Sequence, residues 1–344
     1  MSLAAFINTG DVAQLPGRRD EDWRWSDLRG LIRIAPPPSP VAEARGAGPF
    51  DGLGTDRVVV VNGRGAEDIR VGAGERRTVV LRFVSRADAT AHHADVRIDV
   101  ATGGSLVLFE SYEGQGEGYL ADAALDIRLA QGAALERIVL AADTAEAISV
   151  SQAKVALSEG AIFAQTLLTH GAKRQRLETQ VSHPGGGASA RLDGVYLVGE
   201  RRHADQTSVV THDGKGGITT QLTKGAVAGA GRGIFQGRIV VAKGADQTDA
   251  RMGHHALILS DRGEVDAKPE LFIYADDVAC AHGNTVGALD EDALFYARQR
   301  GMPLAVAKAM LTEAFVGEVI DRIEHEGARE ICRQWVSDHL GALA

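Results

Sequence analysis

The sequence is poor in the residues that most often announce a function. Only two of its 344 residues are cysteine, Cys280 and Cys332, and they lie far apart. That is not the density of a disulfide-stapled secreted domain, and it fits a reducing compartment. Aromatic residues make up 5% of the chain. Basic residues are outnumbered, 37 against 46 acidic, for a net charge of −9, which argues against a phosphate backbone or an anionic membrane as the main partner. No stretch approaches the roughly 20 apolar residues of a membrane span, and the opening MSLAAFINTGDVAQ has no basic leader followed by an apolar stretch. A soluble, cytoplasmic protein is expected, binding neither nucleic acid nor membrane. Nucleotide motifs are missing too. Nothing fits GxxxxGK[ST], and GAGRG at Gly229 has the wrong spacing for a dinucleotide fold and lies among strands with no following helix.

What is present is a repeat. From Arg57 to about Gly287 the chain consists of short β-branched or Leu-rich runs such as VRIDV at Val96 and LDIRL at Leu125, alternating with period two and separated by glycine. A strand, a glycine followed by Ser, Ala or Ile, and another strand recur at Gly104, Gly132, Gly160, Gly187, Gly217 and Gly244, with spacings of 28, 28, 27, 30 and 27. Regular self-similarity in this range predicts a solenoid whose coils cover one another's apolar faces. Strands with tight glycine corners and no helical stretch between them favour a mainly β fold, a right-handed parallel β-helix, over leucine-rich or ankyrin repeats. A β-sandwich of similar strand count is the alternative.

Both ends differ in texture. Residues 1–35 read as an N-terminal helical region containing the cluster EDWRWSDL from Glu21, and residues 36–56, opening on PPPSP, read as a linker. After the β-helix core at 57–287, residues 288–344 read as a C-terminal helical domain. Asp290 caps a first helix, Gly301 ends it and Pro303 suits the start of the next. Ala307, Met310, Leu311, Ala314, Phe315, Val319 and Ile323 fall on one helical face, and Ala328, Ile331, Cys332, Trp335, Val336 and His339 on another. Helices at the two ends are expected to cap the terminal coils, and also to serve as docking sites.

The sharpest local feature is ADDVACAHGNTVG from Ala275. Residues i and i+2 of a strand share a face, so Cys280 and His282 can address one site, and thiolate with imidazole suits zinc or iron–sulfur ligation. A small buried cysteine beside a turn histidine gives the same spacing without any ligand role. His254 and His255 are adjacent on a strand and point to opposite faces, as do His92 and His93, so each is read as structural. Trp23 and Trp25 suit either a partner contact or packing onto the solenoid. Cys332, on an apolar helical stripe, reads as core.

The run from Asp205 to about Ile323, including GIFQGRIVVAKGADQTDARMGHHALILS and KPELFIYADDVACAHGNTVGALDEDALFYARQRGM, resembles the shared core of the SufB and SufD family of SUF-system proteins, and EDWRWSDL resembles the aromatic motif that opens SufD-like members. The chain lacks the upstream ligand-like cysteines of SufB, which favours the SufD side. The resemblance implies a non-catalytic scaffold subunit for iron–sulfur cluster assembly. It would form a heterodimer with SufB through the β-helix edge and bind the ATPase SufC through the C-terminal helices, with Phe295, Met310, Leu311, Phe315 and Val319 as contact residues. His282 would then be a metal ligand or sulfur-path residue of a nascent cluster shared transiently with SufB, and Cys280 an auxiliary thiol. No cofactor is expected to stay on the isolated chain, whose free edge can pair with a second copy. Ala279, Ala281, Asn284 and Phe272 depart from the family's usual polar or basic residue, Ser, Ala and Glu. Two rivals remain: a β-helix carbohydrate lyase or hydrolase, which the low aromatic content disfavours, and a purely structural adaptor.

Overall fold

The computed structural model describes residues 2–341 and Leu343. Between Asp56 and Gly287 the chain winds as a parallel β-helix, each coil giving one strand to each of two sheets. The nine-stranded sheet holds β1 (Asp56–Val61), β3 (Arg76–Ser85), β5 (Ser105–Gly114), β7 (Ala134–Ala142), β9 (Ile162–Thr169), β11 (Ser189–Val198), β13 (Ile218–Val227), β15 (Thr248–Ile258) and β17 (Val278–Gly287), in that order. The eight-stranded sheet holds β2 (Ile69–Val71), β4 (Ala91–Val100), β6 (Leu120–Leu129), β8 (Ile148–Leu157), β10 (Arg174–His183), β12 (His203–His212), β14 (Arg232–Val241) and β16 (Glu264–Ile273). Every ladder is parallel, so equivalent residues of successive coils stack. Ile98, Ile127, Val155, Val181, Val210 and Ile239 form one such row along the lumen, all buried in a single apolar cluster, each contributing on the order of 1.5–3 kcal/mol.

The glycine punctuation has a conformational cause. Gly132, Gly160 and Gly187 sit at corners with φ of 62°, 64° and 64°, a region that side-chain-bearing residues avoid, and the Gly160 amide donates to the Gly186 carbonyl of the next coil at 3.0 Å.

The terminal segments do not cap the ends, as expected from sequence; they cover the two outer faces. α3 (Leu304–Ile320) and α4 (Glu326–Leu340), which follow α2 (Glu291–Gln299), lay Val316, Val319, Ile320, Cys332 and Val336 on two outward rows of the nine-stranded sheet, one holding Phe109 and Ile138 and the other Leu140, Leu168 and Val195. Those rows are apolar and must be covered somewhere. At the other terminus α1 (Leu3–Thr9) and the turns after it place Leu3, Phe6, Leu15 and Leu28 against Leu120, Ile148 and Val150 of the eight-stranded sheet. Residues 36–55 have no helix or strand, yet they are tied to the solenoid. The Ala91 amide donates to Pro37 O at 2.9 Å, and buried Phe50 stacks on Phe109 at 5.3 Å.

Because the helices lie on the faces, the last coil stays open. β16 and β17, each ten residues long, end their sheets, so each presents a row of unpaired backbone groups. Phe272, Ile273, Tyr274 and Val286 are exposed there.

Candidate functional site

The open coil carries the sequence-predicted pair. Cys280 and His282 both belong to β17 and stack in register on Ala250 and Met252 of β15, two residues buried in the lumen cluster. Val278 and Cys280 pack partly against that same cluster. Alternation therefore puts Val278, Cys280 and His282 on the lumen-facing side of the edge strand, as the i, i+2 spacing requires. The two donors differ in setting. Cys280 is half-buried, and that burial pushes its thiol above the usual range, so it is kept protonated and is a poor ligand unless a metal or cation displaces the proton. His282 is exposed. Among the described residues no group of three His, Cys, Asp or Glu is arranged to hold a metal ion.

His254 and His255 point to opposite faces. His254 is fully buried, with its ring between Tyr196 OH at 2.9 Å and Asn284 Oδ1 at 2.6 Å, whereas the His255 ring meets Thr285 Oγ1 at 2.7 Å on the outside. The His92 ring lies between the Ser39 and Ser85 hydroxyls and burial lowers its pKa to about 4. The His93 ring bridges Asp122 and Asp95, chiefly Asp122, which raises it to about 9. Trp23 stacks on Arg176 at 4.4 Å, and the Trp25 carbonyl accepts from Arg174 at 3.0 Å, so EDWRWSDL is packed onto the eight-stranded sheet. Cys332 is buried between α4 and the nine-stranded sheet, its thiol pushed up to about 12.

The expected docking stripe is divided by the fold. Phe295 and Met310 are exposed, Leu311 is half-buried, and Phe315 is half-buried with the Lys224 ammonium 4.5 Å above its ring. Val319 is fully buried and is corrected from a surface residue to a core residue, because the outward rows of the nine-stranded sheet take the C-terminal half of α3. Tyr296, Leu304 and Val306 are exposed beside Phe295 and Met310 and were not singled out from sequence. Their signal is that α3 is apolar nearly all round, which leaves a second face uncovered.

The chain is thus a parallel β-helix with apolar helices on its flank and a thiol–imidazole pair on its open last coil. A family model described as the SUF system FeS cluster assembly SufBD core domain matches residues 83–315, and the chain belongs to that family. It is 28% identical to the iron–sulfur cluster assembly protein SufD of Escherichia coli K12, across 95% of this chain and 89% of that protein, and is SufD-type in this sense. It is 26% identical to an iron–sulfur cluster assembly SufBD family protein of Mycobacterium leprae, across 93% and 89%, and 27% identical to the chloroplastic protein ABCI7 of Arabidopsis thaliana, across 81% and 62%.

Proposed function

We propose that this iron–sulfur assembly protein is a non-catalytic scaffold subunit that pairs its open β16/β17 edge with a SufB-type β-helix and binds a SufC-type ATPase through the exposed apolar face of α2 and the first half of α3. The observation that carries this reading is the uncapped last coil with His282 on its lumen-facing side. Two full-length unpaired strands favour continuation of the solenoid by another chain, and a site with two donors favours completion by a partner's ligands. In this reading a nascent cluster is cargo, held transiently between the His282 imidazole and SufB thiolates. A neutral imidazole adds no negative charge to a thiolate-rich site, which favours release. Cys280, protonated in the free chain, serves as an auxiliary thiol on the sulfur path. Without SufB the same edge pairs with a second copy. The free thiols suit a cytoplasmic setting.

The test is anaerobic assembly on purified complex of this chain with its SufB and SufC partners, followed by iron and sulfide analysis. His282→Ala is expected to abolish cluster accumulation in a complex that still assembles, and Cys280→Ser to give a milder loss. An assembled His282→Ala complex that accumulates iron and sulfide at the unmodified rate overturns the ligand role.

A further inference from the structure

One coil inside the edge strand, a hydrogen-bonded chain leads from the buried lumen to the site. Tyr196 and His254 are both fully buried. Room for the tyrosine ring comes from two glycines: a Cβ at Gly225 would fall 1.9 Å from Tyr196 Cζ, and one at Gly233 2.3 Å from Cε2. The His254 ring lies flat on Phe235, centroids 4.7 Å apart and planes 4° apart. It is therefore fixed in position by packing on its face and by a partner at each nitrogen.

The partners also fix its tautomer. Nδ1 faces Asn284 Oδ1, an acceptor only, at 2.6 Å, so Nδ1 carries the proton. Nε2 then accepts from the Tyr196 hydroxyl at 2.9 Å. With burial lowering the ring's pKa to about 4, the imidazole is neutral at working pH and this pattern does not alternate. The consequence falls on Asn284. Its carbonyl oxygen is taken from inside, so its amide Nδ2, the donor half, is directed to the open coil, two residues from His282 on the same side of β17. Asn284 is exposed and its side chain makes no other hydrogen bond among the described residues.

We propose that Asn284 is a further site residue: its amide N–H donates to an anionic sulfur held beside His282, and Tyr196 and His254 are positioning residues that hold it in the donating orientation. This rests on the proposed cluster-scaffold function and adds an electrostatic element to it. Hydrogen bonds to sulfur stabilise added negative charge and set the reduction potential of metal–sulfur centres. Donor orientation fixed in advance costs nothing when the ligand arrives.

Asn284→Asp is the discriminating variant. It keeps an oxygen for His254 Nδ1–H, so the lumen stays satisfied, but it replaces the outward donor by a carboxylate oxygen. Complex assembled with the SufB and SufC partners is loaded anaerobically with Fe²⁺ and inorganic sulfide, and in a parallel arm with Co²⁺ alone, whose sulfur charge-transfer band reports partner thiolates without sulfide. Asn284→Asp is expected to retain cluster about tenfold less well, from loss of a charge-assisted hydrogen bond, and to lower the cluster's reduction potential. Tyr196→Phe is expected to shift both in the same direction by less. A band shift in the Co²⁺ arm assigns the acceptor to a partner thiolate, and a shift confined to the sulfide arm assigns it to cluster sulfide; either supports the donor role. If His282→Ala abolishes the cluster while Asn284→Asp leaves retention, potential and both bands unchanged, Asn284 only satisfies His254 and the inference is wrong. If His282→Ala also changes nothing, the underlying scaffold reading fails with it.

Discussion

Lowering the pH from 7.5 to 5.5 should destabilise this fold through its buried histidines. His170, His183 and His203 are held down to about 3, and His92, His212 and His254 to about 4, in each case chiefly by burial. The folded state keeps these rings neutral, while the unfolded chain protonates them near 6.5. Below that value the unfolded state binds more protons, so stability is full above about pH 6.5 and is lost as pH falls toward the folded values. Each histidine costs about 1.4 kcal/mol per pH unit in that window, so six together cost at most about 8 kcal/mol between pH 7.5 and 5.5. A typical domain has only about 5–15 kcal/mol in total. His183 and His212 add a local penalty, since their rings stack at 4.2 Å and charging both places like charges together. His93, raised to about 9, works the other way: the folded state already carries its proton throughout this range while the unfolded chain takes one up only near 6.5, so it offsets at most about 1.4 kcal/mol of the loss. Urea melts followed by far-UV circular dichroism at half-unit pH steps measure the slope. Because a solenoid can unfold coil by coil, the slope also counts how many histidines share one cooperative unit. Replacing His183 and His212 together by Phe should flatten it by about a third. A midpoint that stays constant or rises from pH 7.5 to 5.5 refutes the argument.

Two further outcomes are expected. Phe295→Asp with Met310→Asp should abolish SufC binding in a pull-down while leaving the melting transition unchanged; intact binding would remove this face from the proposed dock. In the lumen, Arg137 is bound through two nitrogens to Glu110, at 2.7 and 2.6 Å, with both side chains buried. Glu110→Ala should cost about 3–5 kcal/mol by leaving a buried charge unpaired, read as a shift of the urea midpoint; a loss below about 1 kcal/mol would mean that water reaches Arg137.

Where sequence was legible and where it was not has one physical explanation, the repeat. Corners that require a left-handed residue must recur at the coil length, so Gly132, Gly160 and Gly187 reveal the solenoid from spacing alone. The placement of the helices was hidden because it depends on the outward rows. β3 reads TVVLRFV and β11 GVYLV, apolar on both faces rather than alternating. Strands of that kind need cover on both sides, a demand met on β11 by α3 and α4 and on β3 by the segment around Phe50. Burial of Val319 follows from it. Cys280 and His282 were legible as a local motif, whereas Asn284 and His254 were not, being 30 residues apart. In a parallel solenoid, however, the coil length that reveals the fold also names the contacts. Glu110 lies 27 residues before Arg137, and Gln165 lies 28 after it with its side-chain oxygen 2.5 Å away. Polar residues one coil apart on inward positions stack in the lumen, where an unmatched one is costly. Asn284 standing one coil beyond His254 is such a match: the buried imidazole needs an acceptor from the next coil, and alanine at position 284 would supply none.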